Sequence, residues 1–337
     1  MVKEQRIQAF SKLGTFLSSN DESIQSILEL AERRNPWYSK SYVQQQFLSF
    51  GKQLNSDNLI QWLADMPDQE SEKLVGLVLA GNLPLVGFHD ILSVLISGFR
   101  AQIKLSSDDA GLTKFVLDKL VEIEPAFATR FTIVDLLKDY DLVIATGSNN
   151  SARYFEHYFG KKPHIIRKNR NSVAVLSAEE TTEQLAQLGH DIFDFYGLGC
   201  RSVSKIFIPE NYDIAQFFEA IESFNWIKNH HKYNNNYDFN KSIYLINKNQ
   251  HFDNGFLLLK EDESMASPLA VVHYELYRDL FEVEAYLNQQ SENIQCVISE
   301  TALAIKSPVF PMGSSQVPAL DDYADQVNTL EFLKANQ

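Results

Sequence analysis

Cysteine is nearly missing from this sequence, with two in 337 residues, Cys200 and Cys296. Two thiols 96 positions apart build neither a disulfide framework nor a cysteine zinc cage. A reducing cytoplasm is the compartment such a chain predicts. Cationic runs are missing too: 30 Lys and Arg face 44 Asp and Glu, for a net charge of −14. Nucleic-acid binding needs a basic surface, so that partner class is excluded. The longest apolar region, residues 74–98, is broken by Asn82, Pro84, His89 and Asp90, so no membrane span is expected. The first residues, MVKEQRIQAFSKLGTFL, mix charges with apolar residues and lack the continuous core of a signal peptide. The neighbouring His230, His231 and His251 come without carboxylates at ligand spacing, so no metal is expected.

What is present is an ordinary globular composition, 45% hydrophobic, long enough for two cores. Residues 1–70 read as helices, with Ile7, Phe10 and Leu13 on one face and Ile24, Ile27 and Leu28 on another. Asn35-Pro36 interrupts them. LVGLVLAG (residues 74–81) then opens a series of short apolar strands alternating with amphipathic helices, through FRAQIKL (99–105), residues 130–134 and DLVIATG (141–147). That alternation predicts an α/β fold with a parallel sheet covered on both faces, of the nucleotide-binding type. SVAVL (172–176), VSKIFIP (203–209), SPLAVVHYEL (267–276) and IQCVISE (294–300) are further strands. Residues 228–255, rich in Asn, His, Lys and Tyr, read as a long surface excursion around one strand. The expected organisation is a helical region over 1–70, a Rossmann-type cofactor domain over 71–176, an α/β catalytic domain over 177–310 and a tail over 311–337.

Cys200 lies in FYGLGCRSVSKIFIP, just after Gly197 and Gly199 and just before a strand. Glycines there let the backbone approach a substrate, and the Cys200 N–H can face a developing oxyanion. The competing reading is a small packing hydrophobe, which is what most cysteines are. Cys296, inside a strand, takes that second reading. Thr146, Gly147 and Ser148 form a strand-to-helix turn of the kind that meets phosphate. Lys104 ends a strand, where it reaches a ribose or simply solvent. Asn82 is either an amide donor to an oxyanion or a helix cap. His190, ten residues before Cys200, would support a thiolate only if the fold brought the two together.

The order of these pieces, AGNLP (80–84), IKLSS (103–107), ATGS (145–148) and GLGCRSVSKIFIP (197–209), resembles the aldehyde dehydrogenase superfamily. The closer resemblance is to LuxC-type acyl-CoA reductases, carried by RNPWYSKSYV, the GNLP block, GCRSVSKIFIP, YNNNYDFNKSIYLIN and the tail QVPALDDYADQVNTLEFL. It implies an aldehyde dehydrogenase-like fold, with Cys200 as nucleophile and Asn82 as oxyanion donor. It also implies cofactor binding by Lys104, Ser107, Thr146, Gly147 and Ser148. In the resemblance, hydrolytic relatives carry a general-base Glu before the SVAVL strand, where this chain has Arg167 or Lys168. Without that base, water is poorly activated against an acyl-enzyme, which suits reduction. The Glu that would repel a 2′-phosphate is Ser107 here, which suits NADPH. Glu263, in DESMASP, is one position off the second ribose carboxylate and is not assigned.

The resemblance therefore implies NADPH-dependent reduction of a long-chain acyl thioester to an aldehyde through an acyl-cysteine. The substrate would be an acyl-CoA or acyl-protein, with an acyl-supplying protein as partner. A homo-oligomer stays open. An acyltransferase or thioesterase using the same cysteine, and a non-catalytic scaffold on this fold, are the two alternatives.

Overall fold

The computed structural model describes residues 1–337, which form two compact units: Met1–Asn169 with Ala319–Gln337, and Arg170–Pro318. The first unit opens with helices α1 (Lys3–Leu17), α2 (Glu22–Arg34), α3 (Lys40–Gln53) and α4 (Ser56–Trp62). Phe10, Leu13, Leu28, Val43 and Phe47 are buried along their facing stripes, which is the packing that makes such short helices stable. Asp21 caps α2 by accepting the Ser23 N–H, and Arg33 and Arg34 sit in its last turn, where cations suit the helix dipole. Asn35 is extended, as the residue before a proline should be, and the helix stops there.

The α/β core follows as β1 (Leu74–Val78), α5 (Phe88–Ile96), β2 (Arg100–Lys104), α6 (Leu112–Ile123), β3 (Phe131–Ile133), β4 (Leu142–Thr146), α7 (Asn149–Phe159) and β5 (His164–Arg167). The strands form one parallel sheet in the order β3-β2-β1-β4-β5. The order reverses between β1 and β4. In open α/β sheets such a switch point leaves a crevice beyond the carboxyl ends of the two strands.

The second unit runs β6 (Asn171–Val175), α8 (Thr182–Phe193), β7 (Val203–Pro209), α9 (Ile214–Ala220), α10 (His231–Asn247), β8 (Phe252–Asp253), β9 (Leu258–Glu261), β10 (Val271–Tyr277), α11 (Leu280–Gln289), β11 (Ile294–Ile298) and β12 (Val309–Phe310). Its sheet has the order β12-β11-β6-β7-β10-β9-β8, with only β8 antiparallel to its neighbour. β6, the SVAVL segment, is central in this sheet. The chain then returns to the first unit and ends in α12 (Thr329–Ala335).

Residues 228–255 are not the expected surface excursion. They are mostly α10, a helix of 17 residues. Its buried stripe is Tyr233, Tyr237, Asn240 and Tyr244, at helical spacing. These side chains hide a helix signal because each is amphipathic and carries a polar end. Inside the fold those ends are satisfied: the Tyr233 hydroxyl donates to the Phe256 carbonyl (3.1 Å), Tyr237 to the Asp253 carboxylate (2.6 Å), and the Asn240 amide to the Leu269 carbonyl (2.9 Å).

Candidate active site

In the first unit, the loops after β1 and β2 are splinted by the NPWYS segment. Tyr38 is 1% exposed, and its hydroxyl hydrogen is shared between the carbonyls of Gly81 (2.8 Å) and Leu83 (3.0 Å). Burial raises the Tyr38 hydroxyl well above its usual pKa, so it remains a donor. Asn35 donates its side-chain amide to the Asp108 carbonyl (3.1 Å), and Arg34 donates to the Ala110 carbonyl (3.2 Å). Asn82 therefore sits, exposed, between two backbone carbonyls pinned by one buried tyrosine. A tyrosine two residues after a proline carries no local sign of which loop it will brace.

Lys104 is the last residue of β2, and its ammonium donates to the Asp135 carbonyl (2.7 Å). Ser107 is exposed in the loop that follows. Thr146 ends β4, and Gly147 and Ser148 make the turn into α7. The Ser148 hydroxyl caps that helix by accepting the Ser151 N–H at 3.2 Å. A Cβ on Gly147 would meet Ser151 Cβ and a ring carbon of Phe155, both at 2.8 Å, so only glycine fits this turn. The six residues thus occupy the carboxyl ends of β1, β2 and β4 and the loops beyond them. These are the strand ends that flank the switch point.

Cys200 belongs to the second unit. After α8 the chain reverses through three successive left-handed residues, Phe195 (φ 53°), Tyr196 (φ 59°) and Gly197 (φ 74°). The two non-glycine residues cost roughly 1–2 kcal/mol each in that region. Packing offsets the cost, since both side chains are buried and the Tyr196 ring stacks on His230 with centroids 4.1 Å apart. The reversal delivers Leu198-Gly199-Cys200 to the surface, where Cys200 is exposed. Neither cysteine forms a disulfide.

Hydrogen bonds hold this turn from beneath. The Gly199 N–H donates to the Ser202 hydroxyl (3.3 Å), and the Ser172 hydroxyl donates to the Cys200 carbonyl (2.9 Å). Behind Ser202 lies a buried polar chain. The Gln316 amide reaches Ser202 Oγ (3.5 Å) and Ser315 Oγ (3.3 Å). The wholly buried Asp191 carboxylate accepts the Ser315 hydroxyl (2.6 Å) and the N–H groups of Ser315 (3.0 Å) and Gly313 (2.6 Å). Burial pushes the Asp191 carboxyl above its ordinary pKa, and the three donors oppose that shift. The links from Ser202 and Asp191 to Gly313, Ser315 and Gln316 are not visible in sequence, since they span 114 to 124 positions.

His190 donates through Nδ1–H to Asp194 Oδ1 (3.1 Å), and its ring lies edge-on to Phe224 at 5.0 Å. The Asp194 hydrogen bond raises the His190 pKa, against partial burial. A histidine raised in the fold stabilises fully below its unfolded pKa, about 6.5. That contribution is lost as pH rises through the folded value. His190→Gln should therefore lower the urea midpoint more at pH 5.5 than at pH 9. An equal loss at both values would show that the ionised pair contributes nothing.

Arg167 and Lys168, at the stretch where the resemblance would set a hydrolytic base, bond elsewhere. Arg167 is buried in an ion pair with Asp90 on α5 and also donates to the Thr329 hydroxyl on α12 (2.9 Å). Lys168 pairs with Glu156 on the surface at 2.8 Å. Glu263 is exposed, and its carbonyl accepts from the buried Lys205 ammonium (2.8 Å). No cluster of three or more His, Cys, Asp or Glu side chains has metal-binding geometry. No helix is long and apolar enough to cross a membrane.

Residues 68–224 match the family model for acyl-CoA reductase (LuxC). No curated protein matches the sequence. Among solved structures, the fold is similar to aldehyde dehydrogenase 21 of Physcomitrella patens, at 12% identity and a TM-score of 0.70 over 100% of this chain and 84% of that one. It is also similar to a structure assigned as an aldehyde dehydrogenase from Burkholderia cenocepacia (15% identity, TM-score 0.69, 92% and 79% of the two chains). A third is the NADP complex of NADP-dependent glyceraldehyde-3-phosphate dehydrogenase from Bacillus halodurans C-125 (11% identity, TM-score 0.66, 91% and 78%). At these identities the structural likeness establishes the fold alone. The chain thus has an aldehyde dehydrogenase-like fold, and its residues 68–224 are similar to the acyl-CoA reductase (LuxC) family.

Proposed function

We propose that the protein reduces a long-chain acyl thioester to the aldehyde with NADPH, through an acyl group held on Cys200. The observation that carries this reading is the exposed Cys200 at the end of a strained, buried reversal. A side chain needed only for packing would not be presented that way. In the first step the Cys200 thiolate attacks the acyl carbonyl carbon, and the C–S bond to CoA breaks. CoA leaves as a thiolate that takes up a proton. The Asn82 amide and the Cys200 N–H stabilise the negative charge that gathers on the carbonyl oxygen. NADPH, when bound, supplies the hydride that adds to the same carbon. The resulting thiohemiacetal oxyanion then collapses, expelling the Cys200 thiolate and releasing the aldehyde.

The cofactor fits the residues at the strand ends of the first unit. The glycine-only turn at Gly147 lets a pyrophosphate approach the backbone, and the capped N-terminus of α7 favours an anion there. In this reading Thr146, Gly147 and Ser148 hold the pyrophosphate and Lys104 the ribose. Ser107, lacking a carboxylate, leaves room for a 2′-phosphate without repulsion. Ser107→Glu, by placing a like charge against the 2′-phosphate, should shift preference from NADPH toward NADH by about tenfold, which corresponds to about 1.4 kcal/mol. Unchanged kcat/KM for both nucleotides would remove Ser107 from the cofactor site. With Arg167 tied to Asp90 and Lys168 to Glu156, that stretch offers no base to activate water, so the acyl-cysteine persists for hydride.

The direct test mixes the protein with a long-chain acyl-CoA, with and without NADPH, and follows both CoA thiol and nicotinamide absorbance. NADPH oxidation matched by aldehyde is the expected result. CoA release without nicotinamide oxidation means transfer or hydrolysis instead, and silence in both channels means a scaffold.

A further inference from the structure

Cys296 has no part in the reaction as written, yet it lies directly behind the nucleophile's turn. It is wholly buried on β11, and its sulfur is 3.1 Å from the hydroxyl of Ser172 on β6. That same hydroxyl is 2.9 Å from the Cys200 carbonyl oxygen. The direction of this chain follows from counting hydrogens. Ser172 has one hydroxyl hydrogen, and a carbonyl can only accept, so that hydrogen goes to Cys200. The hydrogen between Ser172 and Cys296 must then be the thiol's. The relay reads Cys296 S–H to Ser172 O–H to Cys200 C=O.

Strand pairing agrees. Ser172 pairs with Val203 but Val173 pairs with Lys205, so β7 carries one extra residue at this point. On the other side Asn171 pairs with Ile294 and Val173 with Val297, so β11 also carries one extra residue, between Ile294 and Val297, where Cys296 lies. Both neighbours of β6 are thus irregular at Ser172. Bulges of this kind re-aim side chains and recur beside active sites. Here they turn the Ser172 hydroxyl toward the Cys200 turn and bring the Cys296 thiol to it.

We propose that Cys296 and Ser172 are positioning residues, a buried donor pair that fixes the Cys200 peptide carbonyl and so the direction in which the nucleophilic thiol is presented. The inference rests on the acyl-cysteine reading, and its test separates the two. Alkylation of Cys200 by iodoacetamide, read on the Cys200 peptide by mass spectrometry, needs neither acyl-CoA nor NADPH. Acyl-enzyme formation from a long-chain acyl-CoA is read in parallel.

Ser172→Ala removes both bonds and should slow alkylation and acylation together by about tenfold, within the range a small misplacement of a reacting group produces. KM for NADPH should not move, because the residues assigned to it are in the other unit. Cys296→Ala, which leaves Cys200 as the sole thiol, should slow both rates by about threefold. Cys296→Ser keeps a donor of similar size and should restore the wild-type rates, a rescue that a purely space-filling role would not produce. The Cys296 pair keeps the test valid should Ser172→Ala not fold. Wild-type rates in both Ser172→Ala and Cys296→Ala, or a Cys296→Ser no faster than Cys296→Ala, would overturn the inference. If wild-type protein alkylates at Cys200 but never acylates, the acyl-cysteine reading fails, and the alkylation rates alone decide the positioning role.

Discussion

Cys200→Ala should abolish acyl-enzyme formation and reduce NADPH-dependent aldehyde production by at least about 10³-fold. The size of the effect follows from the role. In the proposed function the Cys200 thiolate forms the bond that carries the acyl group between the two half-reactions, and alanine offers no substitute. The folded structure should survive the change, because Cys200 is exposed and its turn is held through backbone groups, the Gly199 N–H and the Cys200 carbonyl. Those bonds remain when the side chain is shortened. The measurement is the mass of the protein after incubation with acyl-CoA, alongside nicotinamide absorbance. Wild-type turnover in this variant would remove Cys200 from the reaction and with it the proposed function.

The largest expected loss of stability lies elsewhere, in the buried pair of Asp90 and Arg167. Each is 4% exposed, and the pair links α5 to the end of β5. Breaking a buried pair from one side leaves the other charge in low dielectric without its counter-ion. That typically costs about 3–5 kcal/mol. Asp90→Ala should therefore lower the unfolding free energy of the first unit by about that much, followed by the fluorescence of Trp37 and Trp62. Glu156→Ala supplies the contrast. It removes the surface partner of Lys168, half exposed on both sides, and surface pairs contribute only about 0–1 kcal/mol. Similar losses in the two variants would show that the buried pair is not the clamp its geometry implies. α5 follows the loop that carries Asn82, so Asp90→Ala should also weaken the support of this proposed oxyanion donor.

Much of this protein was legible before folding. The alternation of apolar runs and amphipathic helices gives β1 through β5 with their intervening helices, because a strand buried on both faces must be apolar throughout. The Gly147 turn and the strand-end position of Lys104 were likewise local facts. Residues 228–255 conceal their helix in the sequence for a chemical reason. A stripe of Tyr and Asn looks polar along the chain, yet Tyr233, Tyr237 and Asn240 bury their bodies and bond their polar ends inside the unit.

The sequence by itself determined the α/β class, the order of the four motifs along the chain, and the presence of one cysteine in a glycine-flanked turn. Spacing and turn chemistry act within a few residues, and those features need no more. Only the tertiary structure decided that the turn passes through two strained non-glycine residues, that Tyr38 braces the Asn82 loop, and that Arg167 spends its charge on Asp90. It alone brought Cys296 behind Cys200 through Ser172, across separations of 28 and 124 residues. Those contacts join strands that are neighbours in the sheet but distant in the chain, and no local pattern encodes which strand will lie beside which.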